Sequence, residues 1–286
     1  MHGDFWNVNG ECPVNLDALE DDHIIVGYNW IRAQSIDLDG LWLAGDSGAT
    51  NHLSLRFLYG SGALEVRKGT GGGGTLLGTS SGGLFADGVM HHIEVDAILH
   101  DTTGQCKVYV DDVLVIDVTG ADTKNGGTEI VFDRVTWKSG ANALHPRLDD
   151  VYIITADGVA PNTRVGPCRV ARGLPTGNGA NSGLLGSDGN STDNYLLADE
   201  NPPNTSDYLG SATEGLKDSY PMTDLPSTAF QVYGVRGHLY AAKSDAGSKF
   251  VRPVIRSGGT DFAGASKALA ETYTTYSESW GVDPNT

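Results

Sequence analysis

Cysteine, charge and long apolar runs are all scarce in this chain, and each scarcity removes a class of protein. There are three cysteines in 286 residues, Cys12, Cys106 and Cys168. They have neither the even count nor the close spacing of a disulfide framework or a zinc site. Cys106 alternates with Val108 and Val110 and reads as a buried strand residue. Cys12 and Cys168 lie near the two ends of the first domain, where they could approach each other; reduced thiols are the expectation. No apolar run approaches the roughly 20 residues that span a bilayer, so membrane insertion is not expected. The opening Met1-His2-Gly3-Asp4-Phe5 has no basic region followed by an apolar stretch. That argues against a Sec signal peptide and for assembly in a cytoplasm, or export without an N-terminal mark. Charged residues make up 19%, with 19 Lys and Arg against 36 Asp and Glu, giving a formal net charge of −17. Phosphate contacts need clustered Lys and Arg, so nucleic acid is not an expected partner. The acidity suits a solvated, self-avoiding surface.

Glycine, by contrast, is abundant, at 39 residues. It is costly in helices and useful in tight turns, which points to many short strands joined by turns. Period-two alternation dominates the first half. Leu53, Leu55, Phe57 and Tyr59 fall on one face of a predicted strand, with Ser54, Arg56 and Leu58 on the other. In Met90–His100, Ile93, Val95, Ala97 and Leu99 oppose His92, Glu94 and Asp96. Two further runs about Asp111-Asp112 predict a β-hairpin, because Asp visits left-handed geometry more readily than most residues. Strands also run through 129–137 and 148–154. The tract Gly69-Thr70-Gly71-Gly72-Gly73-Gly74 is followed by neither a Lys-Ser/Thr pair nor a helix, so it reads as a flexible hairpin tip rather than a phosphate cradle. The fold class expected is all-β, an antiparallel β-sandwich.

Three regions follow: a sandwich over 1–170, a polar loop-rich arm over 171–228, and a C-terminal β-rich segment over 229–286. So long a polar segment is uncommon within a compact monomer and is either partly disordered or laid along a neighbouring surface, as an arm. Beyond it, runs at 229–242 and 250–256 alternate again, but two strands are too few to stand alone, so they must pack on the first domain, on a partner, or with residues around 269–273.

The motifs His91-His92-Ile93-Glu94-Val95, His100-Asp101-Thr102-Thr103-Gly104, Val108-Tyr109-Val110-Asp111-Asp112 and Leu148-Asp149-Asp150-Val151-Tyr152-Ile153 resemble concanavalin A/laminin-G-like jelly-roll structural proteins of tailed bacteriophages. Gly166-Pro167-Cys168-Arg169-Val170, Thr205–Leu209 and Asp283–Thr286 resemble later motifs of that family. Met90 and Asp112 depart from it, standing where Trp and Gly are usual. The resemblance implies a non-enzymatic virion protein, in capsid decoration, tail or fibre. Its implied partners are copies of itself and other virion proteins such as capsid or tail subunits; a trimer is the analogy. The alternative is a carbohydrate-binding adhesin or lectin-like module that attaches to host-surface glycans through its loops.

Candidate chemistry is sparse. No cofactor is implied apart from calcium, which many laminin-G-like domains bind; Asp37, Asp39 and Asp149 are the candidate ligands. The sandwich aromatics Trp30, Trp42, Trp137 and Tyr152 are glycan candidates, Trp42, Trp137 and Tyr152 foremost. His92 and Glu94 share a face and read as a solvent-facing polar row. Glu94 and Asp96 also share a face, but the third carboxylate of a glycosidase-type set is absent because position 99 is Leu. No catalytic residue is expected.

Overall fold

Strands form where branched and aromatic residues alternate with polar ones, because alternate side chains then enter one core. A computed structural model describes residues 6–7, 11–16, 21–31, 36–86, 88–138, 147–156, 161–225 and 231–285. The opening Met1–Phe5, Ala229-Phe230 and the final Thr286 lie outside the described residues. The chain divides into two compact units, 1–170 and 171–286.

The first unit contains twelve described strands: β1 (Trp6–Asn7), β2 (Glu11–Asn15), β3 (His23–Ile31), β4 (Leu38–Gly45), β5 (Thr50–Leu58), β6 (Ala63–Lys68), β7 (Thr75–Thr79), β8 (Met90–Ile98), β9 (Gly104–Val110), β10 (Val113–Ala121), β11 (Arg134–Lys138) and β12 (Arg147–Thr155). They build two six-stranded sheets, ordered β1-β12-β3-β8-β9-β10 and β2-β11-β4-β5-β6-β7. Every pairing between them is antiparallel. The unit is an all-β antiparallel sandwich.

Between the sheets the inward residues close one core. Trp30 stacks on Phe57 with centroids 4.3 Å apart, Phe85 meets Trp30 edge-on at 4.9 Å, and Tyr28 meets Trp137 edge-on at 6.1 Å. Such pairs add to the area term, about 25 cal/mol per Å² of apolar surface removed from water. The Asp111-Asp112 hairpin forms as its sequence predicts. Both residues have positive φ, 50° and 68°, and Val110 pairs with Val113, the geometry that suits the twist of the flanking strands.

The glycine tract does join β6 to β7, but it is not a loose tip. Its Gly71–Gly73 segment forms a 3-10 turn folded back on β4 and β5. A Cβ on Gly71 would fall 2.0 Å from Asp39 Oδ2, and one on Gly72 would fall 2.1 Å from Arg56 Nη1. Close approach to two charged side chains, rather than flexibility, is what these glycines supply.

The second unit has no comparable core. Its strands are β13 (Leu185–Gly186), β14 (Leu209–Gly210), β15 (Val235–Ala241), β16 (Phe250–Val251), β17 (Val254–Ser257), β18 (Thr260–Ala263), β19 (Lys267–Ala268) and β20 (Thr274–Trp280). They pair as nested two-stranded ribbons, β15 with β20, β16 with β19 and β17 with β18, so that 235–280 is one interrupted hairpin turning at Gly258-Gly259. Within the run at 229–242, β15 therefore pairs with β20, just beyond the 269–273 stretch, rather than with 250–256. Within the polar arm, residues 174–183 run against 217–223. Thr176 N donates to Pro221 O, and Gly179 N to Ser219 O. Asp218 is its hub, accepting from Gly183 N at 2.6 Å, Leu184 N at 2.8 Å and Tyr220 Oη at 2.9 Å. Carboxylates and hydroxyls hold the backbone here in place of apolar packing.

Candidate functional face of the sandwich

The two outer faces of the sandwich differ. On the first sheet, Tyr152, Gly27, Glu94 and Tyr109 stand in one row across β12, β3, β8 and β9. Gly27 leaves room for the Tyr152 ring, since a Cβ there would lie 2.0 Å from it. Tyr152 Oη thereby donates to Glu94 Oε1 at 2.7 Å. Arg164 Nε donates to Glu94 Oε2 at 2.6 Å, and the backbone N–H groups of Val165 and Gly166 donate to Oε1. The guanidinium also lies 3.3 Å from the Tyr109 ring centroid and binds Asp112 at 2.7 Å. A little further along, Val170 N donates to Asp150, which also accepts from Asn29 Nδ2.

Residues 161–170 are thus strapped across this sheet. Glu94 is fully buried and His92 nearly so. The sequence pattern presented these two as a solvent-facing row; the strap covers Glu94, and the Tyr152 ring stacks on His92 with centroids 5.9 Å apart. Burial, with the hydrogen bond to Glu94 second, raises the Tyr152 phenol well above its ordinary range. Burial raises the Asp150 carboxyl and lowers His92. It also pushes the Cys168 thiol up to about 11 and Cys106 to about 12. All three cysteines are free, with Cys12 on β2 of one sheet and Cys168 in the strap over the other.

The second sheet carries a different row. Pro13, Thr136, Trp42, Ser54 and Arg67 stand opposite one another across β2, β11, β4, β5 and β6. A bulge between Asp39 and Leu41 brings Asp39 opposite Arg56, which in turn faces Glu65. The result is an indole flanked by two arginines and two carboxylates. Arg67 Nε donates to Glu65 at 2.8 Å, and Arg56 Nη2 donates to Asp37 at 3.3 Å. Trp42 Nε1 donates to Asp39 Oδ2 at 3.3 Å, and Lys138 Nζ lies 3.2 Å from the centroid of the indole. Two polar atoms amid this face, Ser54 Oγ and Arg56 Nε, are buried and make no hydrogen bond among the described residues.

The candidate residues distribute unevenly over these surfaces. Trp42 is half-buried on the outer face of the second sheet. Trp137 alternates with it and turns inward, 2% exposed, and Trp30 is likewise in the core. Tyr152 belongs to the other sheet and is engaged by Glu94. The three foremost aromatics therefore form no common platform. Nor do the calcium candidates converge. Asp37 accepts from Tyr59 N and Arg56, Asp39 accepts from Trp42, and Asp149 lies on β12 of the other sheet, accepting from Asp150 N. Among the described residues no group of three His, Cys, Asp or Glu side chains is placed to hold a metal ion. No helix among them is long and apolar enough to cross a membrane. Sequence reasoning missed the partnership of Ser54, Arg56 and Arg67 with Trp42. Their alternation marked the outward face, but only the strand pairing sets them side by side.

No family model and no curated protein matches the chain. Among solved structures, a galectin from Caenorhabditis elegans is similar at 11% identity and a TM-score of 0.36, over 53% of this chain and 95% of the other. A carbohydrate-binding module from Bacillus subtilis is similar at 11% identity and a TM-score of 0.33, over 53% and 91%. An alginate lyase is similar at 12% identity and a TM-score of 0.32, over 47% and 68%. The expected likeness to phage proteins has no counterpart among these structures.

Proposed function

We propose that the first unit is a non-enzymatic carbohydrate-binding module whose ligand lies across Trp42, Ser54, Arg56 and Arg67. One observation carries this reading. Ser54 Oγ and Arg56 Nε lack hydrogen-bond partners among the described residues at the side of a half-exposed indole. A buried polar atom without a partner costs about 1–3 kcal/mol, and a ligand that moves the covering side chains aside would satisfy both with its hydroxyls. The apolar C–H face of a sugar ring suits an indole and would take the place of the Lys138 ammonium that lies over Trp42, and its paired hydroxyls suit the planar forks of Arg and carboxylate. Glu94 and Asp96, the carboxylates that share a strand face, do not serve as an acid–base pair. Glu94 is held by Arg164 and Tyr152, and Asp96 by His23 at 2.8 Å. The test is a glycan array probed with the full chain and with Trp42→Ala. Binding that the substitution abolishes supports the reading, and a blank array overturns it.

A second reading is a virion structural component, with the sandwich as a platform in capsid decoration or tail. The coreless second unit favours an assembled state, and the motif resemblance is what suggests a phage. Electron microscopy of host-derived particles carrying the labelled protein tests it; its absence from particles would overturn that reading while leaving the first intact.

A further inference from the structure

We infer that residues 171–286 are a homotypic assembly unit, a segment that becomes ordered only by intertwining with the same segment of further copies of this chain. Among its described residues only Gly186, Asn194 and Pro253 are buried. No apolar side chain beyond Ile154 belongs to the buried core. Fixing a segment of this length costs on the order of 100 kcal/mol in conformational entropy. A self-sufficient domain offsets this by burying most of the surface its unfolded chain exposes.

Here the apolar side chains point outward instead. Leu185, Met222, Val235, Tyr240, Phe250 and Val254 are all more than 40% exposed, and they are spread from one end of the unit to the other. The backbone repeats the pattern. Each ribbon is two-stranded, so every strand in it keeps one edge without a ladder partner among the described residues. Isolated two-stranded ribbons are marginal in water, and free edges are templates for another strand.

A docked small molecule or a single peptide could cover one stretch of such a surface but not all of it. The occupant has to match the whole length and has to be present whenever the chain folds. A second copy is the partner supplied at the chain's own concentration, and symmetric closure removes every free edge at once. The inference is independent of whether the sandwich binds glycans.

The experiment uses the full chain without glycan. Native mass spectrometry and light scattering over a hundredfold dilution are combined with hydrogen exchange. The expected result is a closed oligomer at an integral multiple of the chain mass, with amides of β15 and β20 protected and that protection lost on dissociation. The double variant Val235→Asp, Phe250→Asp should raise the dissociation concentration at least tenfold. It should leave the amides of β3 and β8 protected, which shows that the sandwich still folds. Three outcomes overturn the inference: a monomer at every concentration, an oligomer whose β15 and β20 amides exchange as in an unfolded chain, or a variant that assembles as the parent does.

Discussion

Trp42 and Ser54 stand directly opposite one another on β4 and β5, and the serine hydroxyl beside the indole has no hydrogen-bond partner among the described residues. A hydroxyl kept in that state works against the folded protein unless something else is bonded to it. Ser54→Ala should therefore leave thermal stability unchanged or raise it, by up to about 1 kcal/mol. The same substitution should weaken glycan binding. Paired melting curves and binding isotherms check both halves; a clear loss of stability would place the hydroxyl in the fold's own interest.

The strap over the first sheet depends on one carboxylate. Glu94→Ala leaves Tyr152 Oη, Arg164 Nε and two backbone N–H groups without their acceptor. Breaking a buried charge pair on one side typically costs 3–5 kcal/mol, and with Arg164 partly exposed about 3 kcal/mol is expected. Release of 161–170 should also speed modification of the Cys168 thiol by a disulfide reagent, while Cys106 stays protected in the core. Denaturant unfolding and thiol-reaction rates read the two effects separately.

Stability should fall on mild acidification. Burial lowers His52 and His92 below the ordinary 6.5, so the unfolded chain takes up protons first as pH drops through that value. Their contribution is complete above about 6.5 and declines below it, toward the folded-state values. His23 acts oppositely. Its hydrogen bond to Asp96 raises it, so its contribution is full below 6.5 and is lost as pH rises through the folded-state value. Urea titrations from pH 7.5 to 5 should show a shallower acid loss in His52→Gln and a steeper one in His23→Gln.

The Asp111-Asp112 turn makes an asymmetric prediction. Asp111 accepts from His92 N at 2.9 Å and bonds His91 Nδ1 at 2.7 Å. Asp112 meets only the partly exposed Arg164 among the described contacts. Asp112→Gly relieves a positive φ at the loss of a surface pair, so stability should hold or rise by less than about 1 kcal/mol. Asp111→Gly should be destabilising by about 1 kcal/mol or more, since it strips two bonds from the start of β8. Equilibrium unfolding of the two variants side by side decides it.

The sandwich was legible where one face of a strand meets the core and the other meets water. Cys106, Val108 and Val110 against Gln105 and Lys107 is such a case, and so is the Asp-Asp hairpin. The signal failed where a second layer covers the outer face. His92 and Glu94 look solvated because polarity alone cannot reveal the Tyr152 ring that stacks on the first or the strap that Arg164 anchors over the second. Gly27, a lone glycine inside a strongly apolar strand, was the available hint of a close approach. The glycine tract misled for a related reason, since composition suggests flexibility whether glycines are free or are required by a neighbour. In the second unit the ribbons' two faces are too alike for period-two patterning to fix their partners. The sequence offered packing with residues around 269–273 as one of three alternatives, but not the nested register of β15 with β20 and β16 with β19.

The claim of a carbohydrate face on the second sheet is tested most directly by titrating isotopically labelled full chain with glycans selected on an array and following its amide, indole and guanidinium signals. The account predicts shifts at Trp42 Nε1–H, Arg56 Nε–H and Arg67 Nε–H, with the signals of the strap at Arg164 unmoved. Shifts confined to the strap and the first sheet, or none with any glycan, would contradict it.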